Sequence, residues 1–151
     1  MTKKWPYNIA RKAVVDLKPY AARGGATTAL HLDANESPWA PPPVTGADGY
    51  NRYPEQQPVQ LIQRLADLYD TLPERLMVGR GADEAIEVLL RTFCETGKDS
   101  ILICPPTFGY YATCADIQGA GVIKAPLNDD FSYNEIRIRS ALSKGGETLK
   151  I

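Results

Sequence analysis

Apolar and polar positions along this 151-residue chain change rhythm near Pro58. From Pro58, a residue suited to a first helical turn, Leu61, Ile62, Leu65, Leu68 and Tyr69 recur at three- and four-residue spacing, which predicts an amphipathic helix to about Tyr69. Leu76-Met77-Val78 is a short apolar run ended by Gly79 and predicts a buried strand. The next helix, Ala82 to Glu95, places Ile86, Leu89, Leu90 and Phe93 on one face, with Gly97 as a C-terminal cap. Ser100 to Cys104 predicts a second continuous apolar strand, stopped by Pro105-Pro106. A helix over Tyr110–Gln118, a strand over Val122–Ala125 and a polar helix over Asn134–Leu142 follow. Strands without polar alternation, separated by helices, belong to a sheet covered on both faces, so the expected class is α/β.

Residues 1–57 differ: prolines, including Pro41-Pro42-Pro43, interrupt every periodic pattern, and the segment is expected to be an extended arm. A short helix around Ile9 to Asp16 is expected, ending before Lys18-Pro19-Tyr20 because a residue preceding proline resists helical angles. Such an arm lies on something else, and part of that surface is expected to belong to another subunit. Residues 58–151 form the expected folded part, and Thr148-Leu149-Lys150-Ile151 reads as the beginning of a strand, so the domain is expected to be incomplete.

Composition narrows the function. With 44% hydrophobic and 23% charged residues the chain is of ordinary globular type, and a formal charge of −1 leaves no broad cationic surface for a nucleic-acid backbone. No apolar run approaches the roughly 20 residues of a bilayer span, nor does an apolar core follow Met1 as in a secretory signal, so a soluble, cytoplasmic protein is expected. Cys94, Cys104 and Cys114 lack C-x-x-C spacing and read as reduced thiols. With His31 the only histidine, no zinc set and no Cys-His or Ser-His pair can be assembled, so no metal is expected.

The chemistry concentrates in loops. Val78-Gly79-Arg80-Gly81-Ala82-Asp83-Glu84 joins a predicted strand to the strongest helix, which makes a potential anion site from free N–H groups and the positive helix end. A plain glycine turn, with Asp83 and Glu84 favouring the helix start, explains the same residues. Glu84 occupies the sixth position of G-x-G-x-x-G and no Walker lysine is present, so a nucleotide site is disfavoured. Asn51-Arg52-Tyr53-Pro54 and Pro105-Pro106-Thr107-Phe108-Gly109-Tyr110-Tyr111 put aromatics in loops, where turn and rim packing is the plain alternative. Together, an anion-holding helix start and an aromatic loop after the next strand would bracket a phosphorylated aromatic cofactor.

Four segments in this order, Leu32-Asp33-Ala34-Asn35-Glu36-Ser37-Pro38, Asn51-Arg52-Tyr53-Pro54, Gly79-Arg80-Gly81-Ala82-Asp83-Glu84 and Cys104-Pro105-Pro106-Thr107-Phe108-Gly109, resemble the N-terminal part of histidinol-phosphate aminotransferases. The resemblance runs from Lys18-Pro19-Tyr20 onward. It implies the aspartate-aminotransferase fold (fold type I), here an incomplete three-layer α/β/α large domain with an N-terminal arm, and pyridoxal 5′-phosphate as cofactor. It further implies that Gly81, Ala82 and Asp83 sit at the cofactor phosphate and that Phe108 stacks on the pyridine. Many relatives have tyrosine there, so a phenol hydrogen bond is lost while stacking survives. Tyr53 matches a tyrosine reaching the cofactor phosphate of the neighbouring subunit, implying a homodimer with a shared active site. Tyr20 and Asn35 match positions near the substrate.

In that family the Schiff-base lysine, the acid at the pyridinium nitrogen and the arginine for the substrate carboxylate follow later in the chain, as does Asn-Pro-x-Asn-Pro-Thr-Gly. Leu142-Ser143-Lys144 imitates the lysine's context but follows a polar helix and precedes Gly145-Gly146, so Lys144 reads as a solvated helix-end residue. The expectation is therefore the N-terminal portion of an enzyme exchanging an amino group between histidinol phosphate and a 2-oxo acid such as 2-oxoglutarate, inactive by itself. The alternatives are a non-catalytic phosphate-binding or dimerisation module, and a related aromatic aminotransferase or threonine-phosphate decarboxylase.

Overall fold

The computed structural model describes residues 5–18, 35–39 and 50–151. They fall into two compact units, one holding residues up to Leu17 and from Gly79 onward, the other holding those between Lys18 and Val78. No helix among the described residues is long and apolar enough to cross a membrane.

The first unit is a parallel α/β layer. β1 (Ser100–Ile103) pairs in parallel with β2 (Gly121–Lys124), with Ile101 opposite Val122 and Leu102 opposite Ile123. Leu149 bridges to Ser100 in parallel, the Lys150 N–H donates to the Ser100 carbonyl at 3.0 Å, and the Leu102 N–H donates to the Ile151 carbonyl at 2.7 Å. Alternate residues of a strand turn to opposite neighbours, so β1 is flanked on both edges. The strand-like character of Thr148–Ile151 is thus realised at Leu149–Ile151, whereas Gly146–Thr148 forms a 3-10 turn.

α3 (Gly81–Phe93) and α4 (Tyr110–Gln118) pack together over one face of this sheet. Their core joins Ile86, Leu90 and Cys94 to Ile101 and Ile103 of β1 and to Cys114 and Ala115 of α4. Burial of each large aliphatic side chain there stabilises the unit by roughly 1.5–3 kcal/mol. Leu89, expected on the same face, is instead exposed, because the buried line runs through Ile86, Leu90 and Cys94 and leaves position 89 at its rim. α5 (Glu135–Gly145) packs against β1 and β2, and a Cβ on Gly145 would meet Ile123 at 3.1 Å, which puts α5 on the face that Val122 does not use. Asn134 caps α5 by accepting from the Arg137 N–H at 2.9 Å, and the helix extends past Leu142. Cys94 and Cys114 are buried free thiols, and burial pushes the Cys94 thiol up.

α1 is only Lys12–Val15, and it is tied down by the residue before it. The Arg11 N–H donates to the Thr92 carbonyl at 2.9 Å and Nη1 to the Arg91 carbonyl at 2.9 Å, both at the carboxyl end of α3. Nε and Nη2 of Arg11 grip Glu95 at 3.2 and 3.1 Å. A cation that also satisfies terminal helix carbonyls is placed where the helix dipole favours it.

In the second unit, α2 (Val59–Leu68) starts one residue after Pro58, whose carbonyl accepts from the Ile62 N–H at 2.9 Å. The predicted strand at Leu76–Val78 does not form. The Gln57 side chain occupies both backbone groups of Val78, accepting from its N–H at 2.8 Å and donating to its carbonyl at 3.1 Å, as a neighbouring strand would.

Two stability predictions follow from the helix ends. Arg11→Ala should lower the thermal midpoint by roughly 2–4 °C. The hydrogen bond from Arg11 holds the Glu95 carboxyl below the ordinary carboxylate range, so this contribution is present above about pH 4.3 and fades as pH falls through the depressed folded value. The gap between wild type and variant, read by thermal melts, should therefore narrow on acidification below about pH 4. Gly119 ends α4 at φ 70°, and a Cβ there would lie 2.7 Å from Cγ2 of Thr96. Gly119→Ala should destabilise by about 1–2 kcal/mol in denaturant titration, and Thr96→Ser, which removes that methyl, should recover part of the loss.

Candidate functional site

The turn entering α3 is built around a carboxylate. The Arg80 N–H donates to Oε2 of Glu84, and Nε and Nη2 of Arg80 donate to its Oε1 at 3.2 and 3.0 Å. These bonds, the backbone one foremost, hold the Glu84 carboxyl below its ordinary range. A Cβ on Gly79 would sit 2.9 Å from Glu84 Oε2, so the missing side chain is what lets the carboxylate close over the turn. Gly81 follows at φ 84°, and apart from its chain neighbours and the backbone of its own helix turn no atom lies within 4 Å of the place its Cβ would take.

With Glu84 engaged by Arg80, α3 starts without a side-chain cap hydrogen bond. First-turn N–H groups have no intrahelical acceptor, and here they carry only the small Gly81 and Ala82 side chains and the exposed Asp83. The open space at Gly81 and the uncapped amides fit an anionic group such as a phosphate.

Phe108 lies in the loop between β1 and α4, 56% exposed, after a cis Pro105–Pro106 peptide. Its ring centroid is 6.0 Å from those of both Tyr110 and Tyr111, tilted by 42° to the first and near perpendicular, 85°, to the second. The hydroxyl of Tyr110, first in α4, donates to Glu87 Oε1 of α3 at 2.7 Å. At the other end Gln118 Nε2, last in α4, donates to the Cys94 carbonyl just past α3 at 3.0 Å. α4 therefore runs beside α3 in the same direction, its start alongside the middle of α3 and its end alongside the residue that follows α3. α4 begins where β1 has ended, so Gly81, Ala82, Asp83 and Phe108 come to one edge of the sheet, the carboxyl edge, where open α/β sheets bind ligands.

The second unit gathers the other predicted positions. Glu36 accepts from the Tyr53 N–H at 2.7 Å and from Arg52 Nη1 at 3.0 Å, while Asn51 Nδ2 donates to the Ser37 carbonyl at 2.9 Å. This clip joins the Asn35-Glu36-Ser37 segment, entered through Asn35 at φ 51°, to Asn51-Arg52-Tyr53. The Tyr53 and Asn35 side chains are exposed. Tyr20 and His31 lie outside the described residues. Lys144 is exposed in the last turn of α5.

Three features escaped the sequence reading: the Arg80–Glu84 closure, the Glu36 clip and the Tyr110–Glu87 bond. The i, i+4 spacing of Arg80 and Glu84 was a usable signal. The opposite charges of Glu36 and Arg52 in two neighbouring motifs were another, whereas Tyr110 and Glu87 carry no local pattern that would link them.

Comparison with known proteins identifies relatives of the chain. The chain is 48% identical over 122 residues to the histidinol-phosphate aminotransferase of Aeromonas salmonicida, covering 80% of this chain and 34% of that protein. It is 50% identical over 125 residues to that of Xylella fastidiosa, covering 82% and 34%, and 45% identical over 136 residues to that of Pectobacterium atrosepticum, covering 89% and 38%. The chain thus spans about a third of the length of the curated relatives it matches. A crystal structure of a Burkholderia pseudomallei protein assigned as an aminotransferase superposes with a TM-score of 0.54 at 24% identity, over 77% of this chain and 37% of that one, and shares the fold. The family model for class I and II aminotransferases matches residues 26–147, and the chain belongs to that family.

Proposed function

We propose that the protein carrying this chain is a histidinol-phosphate aminotransferase, which moves an amino group between histidinol phosphate and 2-oxoglutarate, and that this chain supplies its arm (1–57) and the first part of its cofactor-binding large domain (58–151). The observation that carries the reading is identity of 45–50% to enzymes of that name across most of the chain. The family generally depends on pyridoxal 5′-phosphate and is generally homodimeric, acting on small molecules.

The residues fit such a cofactor. The N–H groups of Gly81 and Ala82 would hold its phosphate, which the open space at Gly81 would admit, with Asp83 at the same helix end. The exposed Phe108 ring would stack on the pyridine and shield it from water. Bound there, the cofactor supplies an electron sink for the charge left when a substrate proton departs. Tyr53, its backbone anchored through Glu36, would reach the phosphate held by a neighbouring subunit, and Tyr20 and Asn35 would contact the substrate. Neither the first turn of α3 nor the Phe108 loop contains a lysine, and Lys144 takes no part, so these residues bind and orient the cofactor without forming a covalent bond to it.

Two measurements test the reading. Pyridoxal 5′-phosphate should bind this chain, with inorganic phosphate competing, and Phe108→Ala should weaken binding about tenfold, the equivalent of about 1.4 kcal/mol. Gly81→Val, whose branched side chain fills the open space at a positive φ, should weaken both ligands; binding that ignores both substitutions would remove the cofactor assignment. In the protein that carries the chain, transfer from histidinol phosphate should exceed transfer from phenylalanine, and the reverse order, or decarboxylation of threonine phosphate, would replace the substrate assignment.

A further inference from the structure

Phe108 has no polar atom to fix its orientation, so the angle of its ring depends on what surrounds it. Two neighbours set it at the ring–ring distance of aromatic pairs: Tyr111 near perpendicular and Tyr110 tilted, each with its centroid at 6.0 Å. Tyr110 is itself held, because its hydroxyl donates to Glu87 Oε1 at 2.7 Å. The other oxygen of Glu87 is taken by Nη2 of Arg91 at 3.0 Å, so the carboxylate cannot rotate freely away from the phenol. The bond to Glu87 also pushes the Tyr110 phenol up, which keeps its proton in place at any physiological pH.

Among the described residues, this is the one side-chain hydrogen bond between the loop-and-helix start at 105–111 and α3. It ties the loop bearing the ring to the helix whose first turn offers the uncapped amides. We propose that Tyr110, held by Glu87, is a positioning residue: it sets the tilt and height of the Phe108 ring relative to the first turn of α3, and so the fit of a ring-bearing phosphate between them. The inference rests on the cofactor reading above and names a residue that reading does not use.

The test measures equilibrium binding of two probes, pyridoxal 5′-phosphate and inorganic phosphate, to this chain and its variants. Phosphate reports the helix turn alone, whereas the cofactor reports turn and ring together. Tyr110→Phe, which keeps the ring and loses only the hydroxyl, and Glu87→Ala should each weaken pyridoxal 5′-phosphate about three- to tenfold and leave phosphate affinity unchanged. Glu87→Gln, which retains an acceptor, should stay close to wild type. In a Phe108→Ala background Tyr110→Phe should have no further effect, since the ring it positions is gone. The inference is overturned if Tyr110→Phe binds the cofactor as wild type does, if it weakens phosphate equally, or if its effect multiplies with that of Phe108→Ala. Failure of the cofactor reading looks different: the unsubstituted chain would bind neither probe, and both proposals would fall together.

Discussion

Two side-chain hydrogen bonds, from Tyr110 at the start of α4 to Glu87 midway along α3 and from Gln118 at the end of α4 to the Cys94 carbonyl just past α3, hold these helices side by side in the same direction. Thr96 adds a second bond at the far end, donating to the Gln118 carbonyl at 2.9 Å. The apolar contacts beneath them, Ile86 and Leu90 against Cys114 and Ala115, would tolerate small shifts along the axes, because hydrophobic contact is not directional. The polar ties remove that freedom. Because α4 follows β1 and α3 runs in the same direction as α4, that common direction sets the first turn of α3 and the Phe108 loop toward the same edge. A site assembled from separate loops needs such a frame, because loops alone do not hold side chains in a fixed relation.

The amino edge of the sheet shows how the frame is closed. Asp99 is buried, and its Oδ2 accepts from the Glu95 N–H at 2.8 Å, satisfying a backbone donor just beyond α3. Its Oδ1 has no hydrogen bond and faces Lys150 Nζ at 4.0 Å, the residue whose N–H also donates to Ser100. A buried carboxylate is unfavourable unless a cation or donor compensates it, so Asp99 ties the Leu149–Ile151 segment to β1 electrostatically as well as through the backbone. Arg11 closes the same end of α3 from the other side, occupying its last carbonyls. The carboxyl edge is left with uncapped amides and an exposed ring, so one end of the layer is satisfied internally and the other is open to a ligand.

Elements whose boundaries are set by local chemistry could be read from the sequence. α4 runs from Tyr110 to Gln118 as expected, because Gly109 and the left-handed Gly119 bound it. β1 is buried nearly throughout, as a run without polar alternation requires. Where a distant group competes, local reading failed. Leu76–Val78 has strand composition, but the amide of Gln57 takes the backbone of Val78. Position 89 looked core-facing by spacing, yet which side of a broad apolar stripe is buried depends on how the sheet meets the helix. Of the candidate site, the glycine turn and Phe108 were visible as motifs, whereas the role of Glu84 in closing the turn needed the coordinates. The Glu36 clip joins two motifs the sequence had kept apart, and no periodicity encodes a pairing across that separation.

On the proposed reading, the two halves of the carboxyl edge would recognise a ligand by different means. At the α3 turn the recognition groups would be backbone amides, and the side chains matter mainly by being absent or small: Gly79 admits Glu84, and Gly81 leaves space. Substitution there acts through sterics and φ, and the amides themselves cannot be mutated away. At Phe108 the recognition group would be a side chain without polar atoms, whose ring neighbours are Tyr110 and Tyr111. A tyrosine at this position could use its own hydroxyl as an anchor, whereas phenylalanine transfers that requirement to its neighbours. The Tyr110–Glu87–Arg91 chain therefore has two consequences: it aligns the helices, and it passes that alignment to a ring with no means of orienting itself.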